Sequence, residues 1–203
     1  MSGAGAVPNH HADHPGFSGA SGLVAGVLFA VAGRAAARVA ADRTGVGAGD
    51  HVVDVGCGPG TAVREAVRRG ATATGVDPAP VMLRLARVLP SGEGITWAPG
   101  RAEALPVQDS AATVVWSLAT VHHWGDLDAG LREVARVLRP DGRFLVAERR
   151  IRQDARGLRS HGWTDAHAEA FAAACGSAGL VDAEVSTARS GRTTRLVVTA
   201  RRS

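Results

Sequence analysis

Two stretches of this chain carry residue types whose spacing implies chemistry. The first is Val52-Val53-Asp54-Val55-Gly56-Cys57-Gly58-Pro59-Gly60-Thr61, a β-branched run containing one acid that passes into a glycine-rich bend. Glycines at Gly56, Gly58 and Gly60 let the backbone turn sharply and approach a ligand with no Cβ in the way. A dinucleotide expects G-x-G-x-x-G, which requires glycine at position 61, where this chain has Thr. Asp54 separates the possibilities further. A carboxylate at the strand end repels a pyrophosphate and suits a ligand that brings a cationic amino group and a sulfonium. The second stretch is Ser117-Leu118-Ala119-Thr120-Val121-His122-His123-Trp124. Its paired histidines, His122 and His123, are the candidates for a general base working near neutral pH.

The elements that must position these residues follow from periodicity and turn chemistry. Residues 1–16 are polar and rich in His and Gly, and are expected to be poorly ordered; residues 17–203 then form one domain that opens on a helix over about 23–41. Strands are expected at His51–Val55, Ala73–Val76, Ile95–Ala98, Thr113–Ser117 and Phe144–Ala147, alternating with helices at Thr61–Arg69, Pro80–Leu89, from Asp126 as N-cap through Leu138, and Thr164–Gly176. Arg139, Pro140, Asp141 and Gly142 read as a turn. Two last strands, near Val181–Thr187 and Thr193–Ala200, flank a Ser190-Gly191 turn too tight for a crossover. The fold class is therefore α/β, a Rossmann-like doubly wound sheet of seven strands, mostly parallel with a C-terminal antiparallel hairpin.

With strand before and helix after, the glycine loop favours S-adenosylmethionine (SAM). Asp54-Val55-Gly56-Cys57-Gly58-Pro59-Gly60 resembles the first motif of class I SAM-dependent methyltransferases, particularly the small group often called methyltransferase type 11. Gly75-Val76-Asp77-Pro78 is similar to that family's second marker. The resemblance implies that Asp77 accepts both ribose hydroxyls and that Met82, in the next helix, packs on adenine. The bland alternative for Asp77 is an N-cap. Gly100-Arg101-Ala102-Glu103-Ala104-Leu105-Pro106 looks like the adenine-side loop, with Arg101 where the family often has an acid, so adenine contact is assigned to the Ala102 amide and to Glu103. Asp54, Gly56, Cys57, Gly58, Gly60, Asp77, Pro78, Met82, Ala102, Glu103 and Ser117 complete the cofactor set that the resemblance implies.

The family likeness runs from about His51 to Val146 and implies methyl transfer to a small-molecule acceptor on O, N or C by in-line displacement. His161 and Trp163 line the acceptor pocket or sit at the surface. Five arginines, Arg149, Arg150, Arg152, Arg156 and Arg159, read as a solvated face. A SAM-binding protein of the same fold with a regulatory or non-methylating role is the alternative, motivated by Arg101 and by the lack of an unambiguous base. A nicotinamide oxidoreductase conflicts with Thr61 and Asp54.

Other classes drop in rank because of what the sequence lacks. All 23 basic side chains are Arg, with no Lys and no Tyr to titrate, so the net charge of +4 reads as compositional bias and no nucleic-acid partner is expected. No Pro-Pro-aromatic segment follows the fourth strand, and no cysteine beside a proline is placed for attack on cytosine. Cys57 and Cys175 lack metal-ligand or disulfide spacing, so neither metal nor disulfide is expected and the chain reads as cytoplasmic. The apolar run Gly19–Gly33 has His10, His11, Asp13 and His14 before it instead of a basic flank. It is shorter than the roughly 20 residues that span a bilayer, so stable membrane insertion is not expected.

Overall fold

Alternating burial along each central strand divides the apolar side chains between two cores. In the computed structural model, which describes residues 33–190 and 193–203, seven strands form one sheet in the order β3-β2-β1-β4-β5-β7-β6. The strands are β1 (His51–Val55), β2 (Thr72–Asp77), β3 (Ile95–Pro99), β4 (Ala112–Leu118), β5 (Leu138–Arg149), β6 (Leu180–Ser190) and β7 (Thr193–Arg202). Val53, Val115, Phe144, Val146, Leu196 and Val198 face a core shared with Leu131, Val134 and Phe171 from helices α4 (Leu127–Val137) and α5 (Asp165–Ser177). The intervening Val52, Val114, Trp116, Leu145 and Val197 face the other core, beneath α1 (described over 33–44), α2 (Thr61–Arg68) and α3 (Pro80–Val88). A two-residue side-chain period thus buries both faces of the sheet, as a doubly wound architecture requires.

The first five strands run parallel, and β7 lies antiparallel between β5 and β6. The expected C-terminal hairpin is therefore present, with its second strand as the inner one. The order reverses between β1 and β4, which is where an open α/β sheet leaves a crevice at its carboxyl edge.

Boundaries agree with the sequence reading to within a few residues, apart from two segments. Leu138, expected to close the helical face of α4, instead opens β5 opposite Ala112. The expected turn Arg139–Gly142 is absorbed as an irregularity of that strand: β4 advances from Ala112 to Val114 while β5 advances from Leu138 to Arg143. Asp141, at φ 60°, supplies the left-handed step, so the turn chemistry is real but bends a strand without ending it.

Helix ends obey local rules. The Asp126 side chain accepts from Ala129 N–H at the start of α4, and Thr164 and His167 cap each other's backbone amides at the start of α5. Helix α1 runs to residue 44, and Thr44 accepts from Trp116 Nε1 at 3.2 Å, which fixes the helix on β4. The expected segment 1–16, the first part of the expected 23–41 helix, and all of the apolar run but Gly33 lie outside the described residues. Among the described residues, no helix is long and apolar enough to cross a membrane.

Candidate functional site

The bend after β1 is held from below by backbone bonds and from the side by a carboxylate. Gly56 and Cys57 N–H both donate to Val76 O, at 2.8 and 3.0 Å, tying the loop to the end of β2. Gly56, Gly58 and Gly60 take φ values of 77°, 51° and 81°. These left-handed conformations suit glycine, but the three differ in what surrounds them. A Cβ on Gly56 would lie 2.6 Å from Thr120, and one on Gly60 would lie 2.1 Å from the Trp97 ring. A Cβ on Gly58 would meet nothing within 4 Å. The bend is therefore packed at both shoulders and open at its crest.

Asp77 Oδ2 accepts from Gly58 N–H and Oδ1 from Ala79 N–H, each at 2.8 Å. The acid thus joins the loop to the turn entering α3, whose N-cap is Ala79 and not Asp77. Each carboxylate oxygen has two acceptor sites, so one on each remains for a diol. Asp77 is buried, and burial raises its pKa against the lowering pull of the two amides. Asp54, fully buried nearby, is pushed up to about 7, first by burial and then by the charge of Asp77. Near neutrality the Asp54 carboxyl is therefore only partly ionised. Burial likewise raises the Cys57 thiol, with Asp54 and Asp77 adding to it, so Cys57 packs as an inert neutral group behind the bend.

Two residues that sequence reasoning passed over complete this loop. Arg64, on α2, donates to Pro59 O at 2.6 Å and also to Ala86 O and Pro90 O near the end of α3, while stacking over Trp97 at 5.5 Å. A single guanidinium thereby satisfies the loop and a helix C-terminus together. Thr120 donates to Val55 O at 2.9 Å and pairs with Ser117 Oγ at 2.7 Å. Ser117, assigned above to the cofactor, is fully buried and braces Thr120.

On the loop after β3, Ala102 is buried in the core and Arg101 is exposed. Glu103 Oε1 accepts from Gly125 and Asp126 N–H at 2.6 and 3.1 Å, so part of this carboxylate serves the approach to α4. Met82 is buried in the first turn of α3, and Pro78 follows Asp77 in the turn before it.

Past β4 the chain takes a left-handed step at Ala119, φ 60°, and enters a 3-10 turn over Val121–His123. Glu148, fully buried near the end of β5, accepts from Val121 N–H and from His122 Nδ1, each at 3.0 Å. The His122 ring is thus fixed in tautomer and orientation. His123 lies beside it at 4.1 Å between ring centroids, and His161 stands 5.6 and 5.5 Å from the two. No spacing rule announced that convergence. It arises because Trp163 N–H donates to Arg149 O, and Ile151 N–H to Trp163 O, folding the segment after β5 back on itself. Gly162 permits the fold at φ 138°, where a Cβ would sit 2.2 Å from Arg149 O. Trp163, the other residue expected at the pocket or surface, is fully buried in the core against Phe171.

A groove of about 770 Å³ beyond the end of β5 is lined by Arg150, Arg152, Asp154 and Asp165 among others. Of the five arginines, Arg150 pairs with Asp165 and Arg152 with Asp154 at the surface, while Arg149 is half-buried and donates to His161 O.

Residues 53–146 match the family described as Methyltransferase domain. The demethylmenaquinone methyltransferase of Tropheryma whipplei is 36% identical over 112 residues, covering 55% of this chain and 46% of that protein. The chain spans less than half the length of these curated relatives that it matches. Among solved structures, phosphoethanolamine N-methyltransferase 2 of Haemonchus contortus, bound to phosphomonomethylethanolamine and S-adenosylhomocysteine, has a TM-score of 0.68 at 17% identity, over 82% of this chain and 52% of that one. The [4+2]-cyclase SpnF has a TM-score of 0.66 at 20% identity, over 98% of this chain and 88% of that one.

Proposed function

From the premise that residues 53–146 of this chain are a domain of the class I SAM-dependent methyltransferase family, we propose that the protein binds SAM across the carboxyl edge of β1, β2 and β4 and transfers its methyl group to a small molecule. The observation that carries this reading is the bend at Gly58: open at its crest, bonded through its own amide to a ribose-competent acid, and backed by a second acid suited to a cation.

In this reading the ribose hydroxyls share the remaining acceptor sites of Asp77, and adenine lies between Met82 and the Ala102 amide. Glu103, partly engaged elsewhere, contributes less. Asp54 faces the cationic end of the cofactor across the bend, and Pro78 shapes the turn beyond Asp77. Ser117 acts through Thr120, as a positioning residue. SAM supplies an activated methyl group on sulfur. The acceptor's lone pair forms the new bond to the methyl carbon while the carbon–sulfur bond breaks, its electrons returning to sulfur to leave a thioether. The chain's tasks are to hold the acceptor about 3–3.5 Å from that carbon and to exclude water. Where the acceptor carries a proton, His122, oriented by Glu148, or the adjacent His123 takes it.

Isothermal titration with SAM and S-adenosylhomocysteine tests the cofactor reading. Asp77→Ala is expected to weaken both at least tenfold in a folded protein, since it removes the ribose acceptor and the brace on Gly58 together. Absence of binding to the wild-type chain at millimolar ligand overturns the proposal.

A second reading, a SAM-binding protein that does not methylate, draws support from Arg101 and from the partial diversion of Glu103. The likeness to SpnF, whose activity is named as a cyclisation, shows that this fold does not by itself dictate methyl transfer. Incorporation of labelled methyl into any acceptor decides against that reading.

A further inference from the structure

We propose that His122, His123 and His161 form a binding site for one divalent transition-metal ion, zinc being the best match in ligand type, placed where it can hold an oxygen of the acceptor. The metal site stands on its own geometry; the acceptor role rests on the methyl-transfer reading above. One ring nitrogen from each histidine lies within 4.8 Å of the other two. Imidazole suits Zn²⁺, Ni²⁺ and Cu²⁺, and three histidines with one position left open make up the donor set of a catalytic zinc site.

The surroundings of His122 support a ligand role. A metal-bound histidine characteristically donates its other ring N–H to a carboxylate, which fixes the tautomer and strengthens the ligand. Here Nδ1 of His122 lies 3.0 Å from Glu148 Oε2, while Glu148 Oε1 is held by Val121 N–H, so the carboxylate cannot swing away. With Nδ1 engaged by Glu148, the proposed site takes this histidine through Nε2. Burial is graded across the cluster, with His122 buried, His161 half-buried and His123 exposed, which provides a dry anchor and an entry path.

Three nitrogens at tetrahedral corners around zinc stand roughly 3.3 Å apart, given Zn–N distances of about 2.0–2.1 Å. The ring nitrogens stand within 4.8 Å of one another, so the cluster draws together on binding. Both halves of the site lie past the carboxyl ends of adjacent strands, β4 and β5. A hydroxyl or carbonyl oxygen of the acceptor in the open position would be polarised by the ion. A metal-bound hydroxyl releases its proton to solvent, and its oxygen lone pair then forms the bond to the methyl carbon as the carbon–sulfur bond breaks. With the ion bound, the histidines are ligands, and acidification by the metal replaces their service as base.

The N-terminal segment also contains His10, His11 and His14, so the test is made in the full chain carrying His10→Ala, His11→Ala and His14→Ala. Chelator-treated protein is titrated with Co²⁺ alone, without SAM, following its visible absorption. One equivalent is expected, displaced by Zn²⁺. His161→Ala and His123→Ala, at the half-buried and exposed members of the cluster, should each weaken Co²⁺ binding at least tenfold, with folding checked by circular dichroism. Glu148→Gln should weaken it by about 10–100-fold. Co²⁺ binding that is absent, or unchanged in folded His161→Ala and His123→Ala, overturns the metal site. Because no SAM is present, that failure is distinct from a failure to bind the cofactor, which titration of the metal-free chain with S-adenosylhomocysteine reads separately.

Discussion

In the proposed SAM site, Asp54 links protonation to ligand binding. Its carboxyl has a folded-state pKa of about 7 against 3.8 for the free side chain, from burial and from Asp77. Between those values the folded state holds a proton that the unfolded state has released, so stability falls as pH rises from about 4 through 7. A shift of this size corresponds to up to about 4 kcal/mol. Asp77, raised in the same direction, adds to it. A cationic ligand beside Asp54 lowers its pKa and so binds the ionised form. Affinity for S-adenosylhomocysteine is expected to rise up to about tenfold per pH unit from pH 5.5 to 7, then to level off. Binding near pH 6 should release close to one proton, measured by calorimetry in buffers of different ionisation enthalpy. Asp54→Asn should flatten the profile while making the ligand-free protein more stable at pH 8; a profile equally steep in that variant would sink the assignment.

The loop between β1 and α2 divides stability from binding within three glycines. Gly56→Ala drives a Cβ to within 2.6 Å of Thr120 at a positive φ. Overpacking and the left-handed cost together amount to roughly 3 kcal/mol or more. Gly58→Ala carries only the left-handed cost, about 1–2 kcal/mol, because nothing lies within 4 Å of the new methyl. Urea denaturation should therefore find Gly58→Ala folded and Gly56→Ala badly destabilised, whereas titration should find that Gly58→Ala has lost at least tenfold in cofactor affinity. Unimpaired binding by Gly58→Ala would mean that the crest does not face the ligand. This element was legible in the sequence because its cause is local: an apolar run, a glycine cluster and a helix-compatible stretch follow one another directly. The brace from Thr120 to Val55 crosses 65 residues and the bond from His122 to Glu148 crosses 26, so neither leaves a mark in local spacing. Arg64 was hidden for a related reason, since its acceptors at the end of α3 are carbonyls, which every residue possesses. His161 reached the site only through the fold-back around Gly162, whose need for glycine comes from a backbone oxygen at a distant strand end.

At the scale of the whole molecule, the sheet order brings the carboxyl ends of the parallel strands β1, β2, β4 and β5 to one edge, and several arginines hold that framework. Arg143 reaches Thr44 O and Asp50, joining β5 to the end of α1 and to the approach to β1. Arg136 donates to Leu105 O, Val107 O, Glu133 and Asp109, and the carboxylates of Glu133 and Asp109 hold it more firmly charged than a free guanidinium. Arg69 binds Glu65 and Asp42. A cation already paired with a carboxylate has less field to offer a phosphate, and the composition of +4 from 23 arginines leaves only a small excess. Labelled duplex DNA followed by fluorescence anisotropy at 150 mM salt should therefore show no binding tighter than about 10⁻⁴ M, the weak end of non-specific association. Micromolar binding with a steep salt dependence would reveal a continuous basic face that these ion pairs do not predict. The acceptor would then have to be sought among nucleic acids, even though no Pro-Pro-aromatic segment follows β4.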